Sequence, residues 1–483
     1  MRFVTTTELL RHQEAAVAKL LPARVGALFM DMGTGKSRTT LELARLRAGK
    51  WDRLIWVCPV SAKETIFQEA LKHTSLREAD IYIFDDKTRA RTLPLDRALY
   101  IVGVESLSSS MRVTAALDAL ISERSFVVAD ESSYIKGHLA ARTQRLTNIA
   151  ARARYRLLLT GTPITQGAVD LFAQMRFLSP QILGYSSFWS FAANHLEYEI
   201  DRATGRRTGR ILRAHNEELL AARMQPYVYQ VKKDECLTLP DKLHERRWCE
   251  LTWQQRQLYE QAKDEWLTLD LADWDGKAIY RLFTALQTIV CGWWNRTDPH
   301  TGKRELLVAH HRRLDLLLDT LAAIPAGEKV IIWAKYHRAI EEIATALHTE
   351  YGVESVARFH GGFSERQRDA QLAQWRAQPA MRFLLATQSA GSHALTLNEA
   401  AYSIFYADSF KYAERIQAED RNHHIGQLRR PVYITLGSAS TIDQRIASAL
   451  ARKENALQVF RHRIEECRAR GLKARAMNLV KAL

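Results

Sequence analysis

Four apolar runs, RLIWVCPV, ALYIVGV, SFVVADE and YRLLLTGT, each end in small or polar residues, and stretches of helical periodicity such as SAKETIFQEALKH interleave with them. A run that is apolar at nearly every position has no solvent-facing side, so it must be covered on both faces. Strands that alternate with helices return in the same direction and build a parallel sheet. The pattern recurs in KVIIWAKY, SVARFHG, RFLLATQ, YSIFYAD and PVYITL. The expected fold class is α/β, with two tandem parallel-sheet domains flanked by helices. Expected boundaries are residues 1–235 and 310–455 for the two lobes. The long amphipathic patterns between them predict a helical bridge over 236–309, and 456–483 reads as a basic helical tail.

A chain of 483 residues is too long for one core, which agrees with two or three domains. Its net charge of +15 makes an acidic polymer the first partner to consider, nucleic acid before membrane. Five cysteines (Cys58, Cys236, Cys249, Cys291 and Cys467) show no paired spacing, which argues against a zinc site or a disulfide framework. The N-terminal stretch lacks an apolar signal core, and no run approaches the roughly 18 apolar residues of a membrane span. These features predict a cytoplasmic protein without a membrane partner.

ALFMDMGTGKSRTTLELARL places Gly33, Thr34, Gly35, Lys36 and Ser37 between a strand-like run and a helix. Glycines allow a tight turn whose N–H groups converge on phosphate oxygens, and the helix N-terminus adds partial positive charge. Lys36 would neutralise the β and γ phosphates of ATP, and Ser37 would offer its hydroxyl to Mg²⁺. The full phosphate-loop pattern has glycine six residues before the lysine, where this chain has Met30. In FVVADESSYIKG a buried strand delivers Asp130 and Glu131 to its carboxyl end, where α/β sheets bind ligands. Alone, the acid pair reads equally as a helix cap. Beside the phosphate loop it reads as a Mg²⁺ ligand, Asp130, and a base for the attacking water, Glu131.

The order GTGKS, DESSYIKG, LLTGTP and QAEDRNHHIGQ resembles the superfamily 2 helicases, in the Swi/Snf-like branch of duplex-DNA translocases. LLRHQ is similar to that branch's adenine-reading motif, which makes Gln13 the candidate for the base edge. LIWVCPVSAKETIFQEA resembles the segment that follows one DNA strand, with Pro59 and Ser61 in position. ATQSAGSHALTL matches a DNA-contact motif loosely, with Ser389, Gly391 and Leu397 in register. The resemblance implies two RecA-like lobes with ATP between them. It also implies that Thr160, Gly161, Thr162 and Pro163 link nucleotide state to DNA grip, with an ordinary strand-ending turn as the lesser alternative for the two threonines.

By the same resemblance, QAEDRNHHIGQ is the second lobe's contribution to ATP turnover. Arg421 takes the first arginine-finger position and Gln417 helps hold the closed cleft. Where the family has a second arginine this chain has His424, and where it has a histidine after the acid pair this chain has Ser133. Three readings follow: a slower enzyme in which His424 gives one hydrogen bond, an enzyme for which Arg421 suffices, or impaired hydrolysis. His423 reads as a structural surface residue.

EYEIDRATGRRTGRILRAH predicts a β-hairpin whose tip carries Arg206 and Arg207, either solvated or touching phosphates. The basic tail has the same two readings. His310 and His311 fit a helix-start surface better than a metal site, and Trp293 and Trp294 fit packing better than base stacking. The resulting expectation is a monomeric ATP- and Mg²⁺-dependent helicase or translocase on duplex or branched DNA, of compact phage or bacterial type. Branch migration, reannealing or protein displacement in replication or repair would suit it. Two alternatives stand beside it: an RNA- or single-strand-directed helicase, and a degenerate motor that acts as an ATP-gated DNA-binding protein.

Overall fold

The computed structural model describes residues 3–161, 163, 167–200, 207–297, 302–388 and 396–483. The chain divides into two compact units, Met1–Thr238 and Leu239–Leu483. In the first, the strands are β1 (Val25–Met30), β2 (Arg53–Cys58), β3 (Ile81–Ile83), β4 (Leu99–Gly103), β5 (Ser125–Ala129), β6 (Tyr155–Thr160), β7 (Leu196–Ile200), β8 (Arg207–Ala214) and β9 (Val228–Val231). Seven of them form one sheet in the order β3-β4-β2-β5-β6-β1-β9, every pairing in it parallel. β4 and β5 are buried at every position, so helices cover both faces, as their uninterrupted apolar sequences require. Strands β7 and β8 pair antiparallel as the expected basic hairpin.

Register decides where the chemistry lies. Phe29 pairs with Thr160 and Val57 with Ala129, so β1, β2, β5 and β6 end at one edge of the sheet. The phosphate loop, Pro59, Asp130 and Gly161 each follow one of those strand ends.

The second unit contains β10 (Leu243–Cys249), β11 (Trp293–Thr297), β12 (Arg304–Val308), β13 (Lys329–Trp333), β14 (Val356–Phe359), β15 (Phe383–Ala386), β16 (Ala400–Phe405) and β17 (Val432–Ser438). Its six-stranded sheet runs β10-β17-β16-β13-β15-β14, again with parallel pairings throughout. The helices Trp253–Leu267 and Gly276–Val290 share one core with this sheet, and so do Phe460, Ile464 and Val480 of the terminal helices. Trp293 and Trp294 are buried in that core. Both units therefore have the parallel, covered sheet of a RecA-like lobe. Among the described residues, no helix is long and apolar enough to cross a membrane.

An ion pair fastens the second unit from within. The fully buried Arg313 donates to the Tyr406 carbonyl at 2.9 Å, to Ser438 Oγ at 3.3 Å and to the Asp443 carboxylate. Burial opposes the guanidinium charge, but Asp443, joined by Cys291 and Tyr406, holds the group above its usual pKa. Asp443→Ala would strand that cation in the core, so a loss of about 3–5 kcal/mol is expected in denaturant unfolding of this unit.

Lys335 lies on the same core: its Nζ donates to Gln287 Oε1 at 2.9 Å and sits 2.9 Å from the Phe410 ring centroid. Burial pushes its pKa down to about 7. The unfolded chain keeps a lysine pKa near ~10.4, so between those values the unfolded state binds more protons and stability rises with pH. Melting temperature should therefore climb from pH 7 towards 10, and Lys335→Met should flatten the climb when the two proteins are compared.

Candidate nucleotide site

In the first unit the phosphate loop owes its shape to two glycines, Gly33 and Gly35, at φ 81° and 83°. A Cβ at Gly35 would meet the Gln13 side-chain amide, which leaves glycine as the residue that fits. Met30 is the last residue of β1, fully buried and outside the positive-φ region, so the family's glycine is not needed there. Lys36 opens the helix Lys36–Leu46, and its Nζ donates to the carbonyls of Met30 at 2.9 Å and Asp31 at 3.1 Å. Ser37, half-buried, follows in the first turn.

The loop is braced from the N-terminal side. Thr34 is buried, its Oγ1 donates to the Asp31 carbonyl at 2.7 Å, and its own carbonyl accepts from Gln13 Nε2 at 3.0 Å. His12 Nε2 lies 2.8 Å from the same carbonyl. Gln13 Oε1 accepts from the Leu10 N–H at 3.0 Å, so both ends of that amide are engaged in fixing the loop. Arg38, also buried, joins Thr7 to Glu42, and Thr5 donates to Glu42 at 2.9 Å. Sequence reasoning missed His12 and the Arg38–Glu42 pair; a basic and an acidic residue four apart on a helix that is otherwise buried was the available signal.

Asp130 follows β5. Its Oδ2 accepts from Trp56 Nε1 at 3.1 Å and its Oδ1 from the Glu131 N–H at 2.8 Å. Burial raises its pKa and Lys36 draws it back down, which puts the carboxylate in the electrostatic reach of the phosphate-loop lysine. Glu131 sits at φ 47°, ψ 60°, a left-handed conformation that costs a non-glycine residue energy and is found at functional turns. Ser133 Oγ donates to Glu131 Oε1 at 3.0 Å, so the residue standing where the family has histidine holds the glutamate directly.

The acid segment is wired to the turn after β6. Ser132 Oγ donates to Gln174 Oε1 at 2.6 Å, and Gln174 Nε2 donates to the carbonyls of Pro163 at 2.8 Å and Asp170 at 2.9 Å. A Cβ on Gly161 would lie 3.4 Å from both Met30 O and Met32 N, which places that turn against the phosphate loop. Thr160 is fully buried at the end of β6. Trp56 and Gln174 were not legible as site residues, though an indole inside a buried strand does demand a hydrogen-bond partner.

Pro59 caps the short turn after β2, and Ser61 lies half-buried within it. The Arg207 guanidinium lies over the Tyr198 ring at 5.3 Å. Thr162, Arg206, Ser389 and Gly391 lie outside the described residues.

In the second unit Arg421 is buried beyond the end of the helix Tyr412–Glu419, and its Nε donates to the Gln417 carbonyl at 3.1 Å. Much of QAEDRNHHIGQ is scaffold. Asn422 donates to the Ala400 carbonyl at 3.2 Å and accepts from Tyr433 at 3.1 Å. Gln427 donates to the Asn422 carbonyl at 3.0 Å, and His423 Nε2 lies 3.0 Å from the Pro240 carbonyl. Glu419 is buried; although burial alone would raise its pKa, His244, Arg415 and Lys242 hold it far below the carboxylate range. Gln417 and His424 are half-buried.

The donor set suits a hard, oxygen-loving cation. Ser37 and Asp130 would offer it a hydroxyl and a carboxylate oxygen. Mg²⁺ is held in this way, by one or two protein oxygens together with substrate phosphates.

The SNF2-related domain model matches residues 12–291, and the helicase conserved C-terminal domain model matches 312–426. The mouse "DNA annealing helicase and endonuclease ZRANB3" is 26% identical over 430 residues, 88% of this chain and 38% of that protein. "Zorya protein ZorD" of Escherichia coli is 26% identical over 64% of the chain and 28% of its own length. "Putative ATP-dependent helicase/translocase YwqA" of Bacillus subtilis is 25% identical over 68% of the chain and 34% of its own length. The chain thus spans about a third of the length of these relatives. Among solved structures, the Sulfolobus solfataricus SWI2/SNF2 ATPase core in complex with dsDNA covers 97% of the chain, with 95% of its own length matched, at 20% identity and a TM-score of 0.42. With its model matched over more than half of the sequence, the chain belongs to the SNF2-related family.

Proposed function

We propose that this chain is an ATP-dependent motor that moves along duplex or branched DNA. The observation that carries the reading is the joint placement of Lys36, Ser37, Asp130 and Glu131 at one edge of the first sheet. Lys36 neutralises the terminal phosphates, and the loop's N–H groups hold them. Ser37 and Asp130 would hold Mg²⁺, which when bound neutralises phosphate charge. Glu131, fixed by Ser133, orients and deprotonates the attacking water. Arg421 supplies positive charge as the γ-phosphate leaves, with Gln417 and His424 as neighbours, and Gln13 reads the adenine edge while bracing the loop. Pro59, Ser61, Gly161, Thr162, Ser389, Gly391, Arg206 and Arg207 are proposed DNA contacts, in keeping with a net charge of +15, whereas Thr160, expected among them, is fully buried and acts only by positioning Gly161.

The SNF2 kinship, the DNA annealing helicase and the putative ATP-dependent helicase/translocase among the relatives support this reading. Steady-state ATPase measured with duplex, branched and single-stranded DNA and with RNA tests it. Duplex or branched DNA should stimulate most, and stimulation by RNA alone would select the RNA-directed alternative. Ser133 and His424 sustain the reading of an ATP-gated binder without turnover. His424→Arg separates the two: an active motor should change by less than about tenfold, whereas a brake would release turnover absent from the parent.

A further inference from the structure

A cavity of about 340 Å³ opens in the second unit beside the strand Leu243–Cys249, between the helices Tyr412–Glu419 and Ile442–Ala451. Its size falls within the roughly 300–1,000 Å³ of small-molecule sites. Tyr412, Arg415, Ile416 and Glu419 line it, and that three- and four-residue spacing is one face of the first helix. Gln417 and Arg421 are not among the lining residues, so the cavity is separate from the nucleotide-site candidates of this unit.

One guanidinium nitrogen is left to face this space. Arg415 is only 6% exposed. Its Nε donates to Glu419 at 2.9 Å, and its Nη1 donates to Asp408 at 2.8 and 2.7 Å and to Thr435 Oγ1 at 3.1 Å. Nη2 has no hydrogen-bond partner among the described residues and, unlike a sealed core atom, keeps contact with solvent. Because Arg415 lines the cavity, Nη2 is the donor available to an occupant.

Charge decides what that occupant is. Three carboxylates line the cavity, and each is already engaged. Arg415 holds Asp408, Arg415 and Lys242 hold Glu419, the latter at 3.0 Å, and Glu245 lies 3.6 Å from Arg247. Arg246 and Lys453 also line the cavity; both are exposed, and neither pairs with a carboxylate among the described residues. Two unpaired cations beside a free guanidinium nitrogen suit a dianion such as phosphate better than a single carboxylate. Ile416 and Leu450 add an apolar wall for whatever carries that group.

We propose that this cavity binds a phosphate group, held by Arg415 Nη2, Arg246 and Lys453. The group belongs either to a free phosphorylated molecule or to a DNA backbone, and its binding needs no ATP turnover.

The probe is inorganic pyrophosphate, titrated calorimetrically into the whole chain with a non-hydrolysable ATP analogue present to fill the nucleotide site. Arg246→Ala, Lys453→Ala and Ala451→Trp are compared with the parent. The last adds bulk at an exposed lining position at a helix end without changing charge. Binding that each substitution weakens by about fivefold or more is the expected result. In a second arm, fluorescence anisotropy follows a labelled DNA duplex. Loss of duplex affinity in Ala451→Trp assigns the phosphate to a DNA backbone, and unchanged affinity assigns it to a free molecule. No pyrophosphate binding, or binding that either the charge substitutions or Ala451→Trp leave unchanged, overturns the proposal. An effect of the charge substitutions alone would then mark general attraction of an anion to a basic surface.

Discussion

In Lys36→Ala, ATP turnover is expected to fall by about 10²–10³-fold while DNA binding persists. The side chain is the phosphate loop's own cation, and its Nζ reaches the carbonyls of Met30 and Asp31 at the mouth of the loop. Alanine removes that charge without disturbing Gly33 and Gly35, which set the turn by their positive φ angles. The Thr34 anchors to Gln13 and His12 also survive, so the fold should be unchanged. A coupled ATPase assay gives the loss, and circular dichroism with a thermal melt shows whether the unit is intact. Turnover within about threefold of the parent would remove Lys36 from the site.

Glu131→Gln is expected to lower turnover by about 10²–10⁴-fold and to leave ATP affinity nearly unchanged. Glutamine keeps the volume, and its amide oxygen can still accept from Ser133 Oγ, which now donates to Glu131 at 3.0 Å. What disappears is the carboxylate able to take a proton from water. Binding of a fluorescent ATP analogue beside single-turnover hydrolysis separates the two effects. Equal losses in both would mean that Glu131 supports the loop instead of the water. The left-handed backbone at this position predicts a further asymmetry: Glu131→Gly should fold readily and Glu131→Val should not, because a β-branched residue pays most at positive φ.

The central strands were legible because sheets covered on both faces write themselves as unbroken apolar runs. RLIWVCPV, SFVVADE and KVIIWAKY are β2, β5 and β13, at interior positions of their sheets. The edge strands β9 and β10 were not. VYQV is only four residues long and LHERRWC carries four polar residues in a row, and their place depends on distant partners, Ala27–Met30 for one and Val432–Ser438 for the other. The bridge helices could be read from periodicity, but periodicity names a buried face without naming what buries it. Their union with the terminal helices around Phe460 and Ile464 is a tertiary fact.

The same division runs through the site. Glycine-lysine-serine spacing and an acid pair after a strand are local patterns, and both could be read directly. Gln174, which joins Ser132 to the Pro163 turn, is invisible to such reading because its partners lie up to 42 positions away. Met30 stands where the full phosphate-loop pattern has glycine, and its backbone, outside the positive-φ region, does not require one. In QAEDRNHHIGQ the arginine could be singled out, whereas the scaffolding work of Asn422 and Gln427 depends on Ala400 and Tyr433.

Displacement of a triplex-forming third strand from duplex DNA tests the central claim most directly, because removing that strand requires travel along the duplex without separating it. The account predicts ATP-dependent release by the parent protein and none by Lys36→Ala. ATP hydrolysis without release, or release that Lys36→Ala performs equally well, would contradict it.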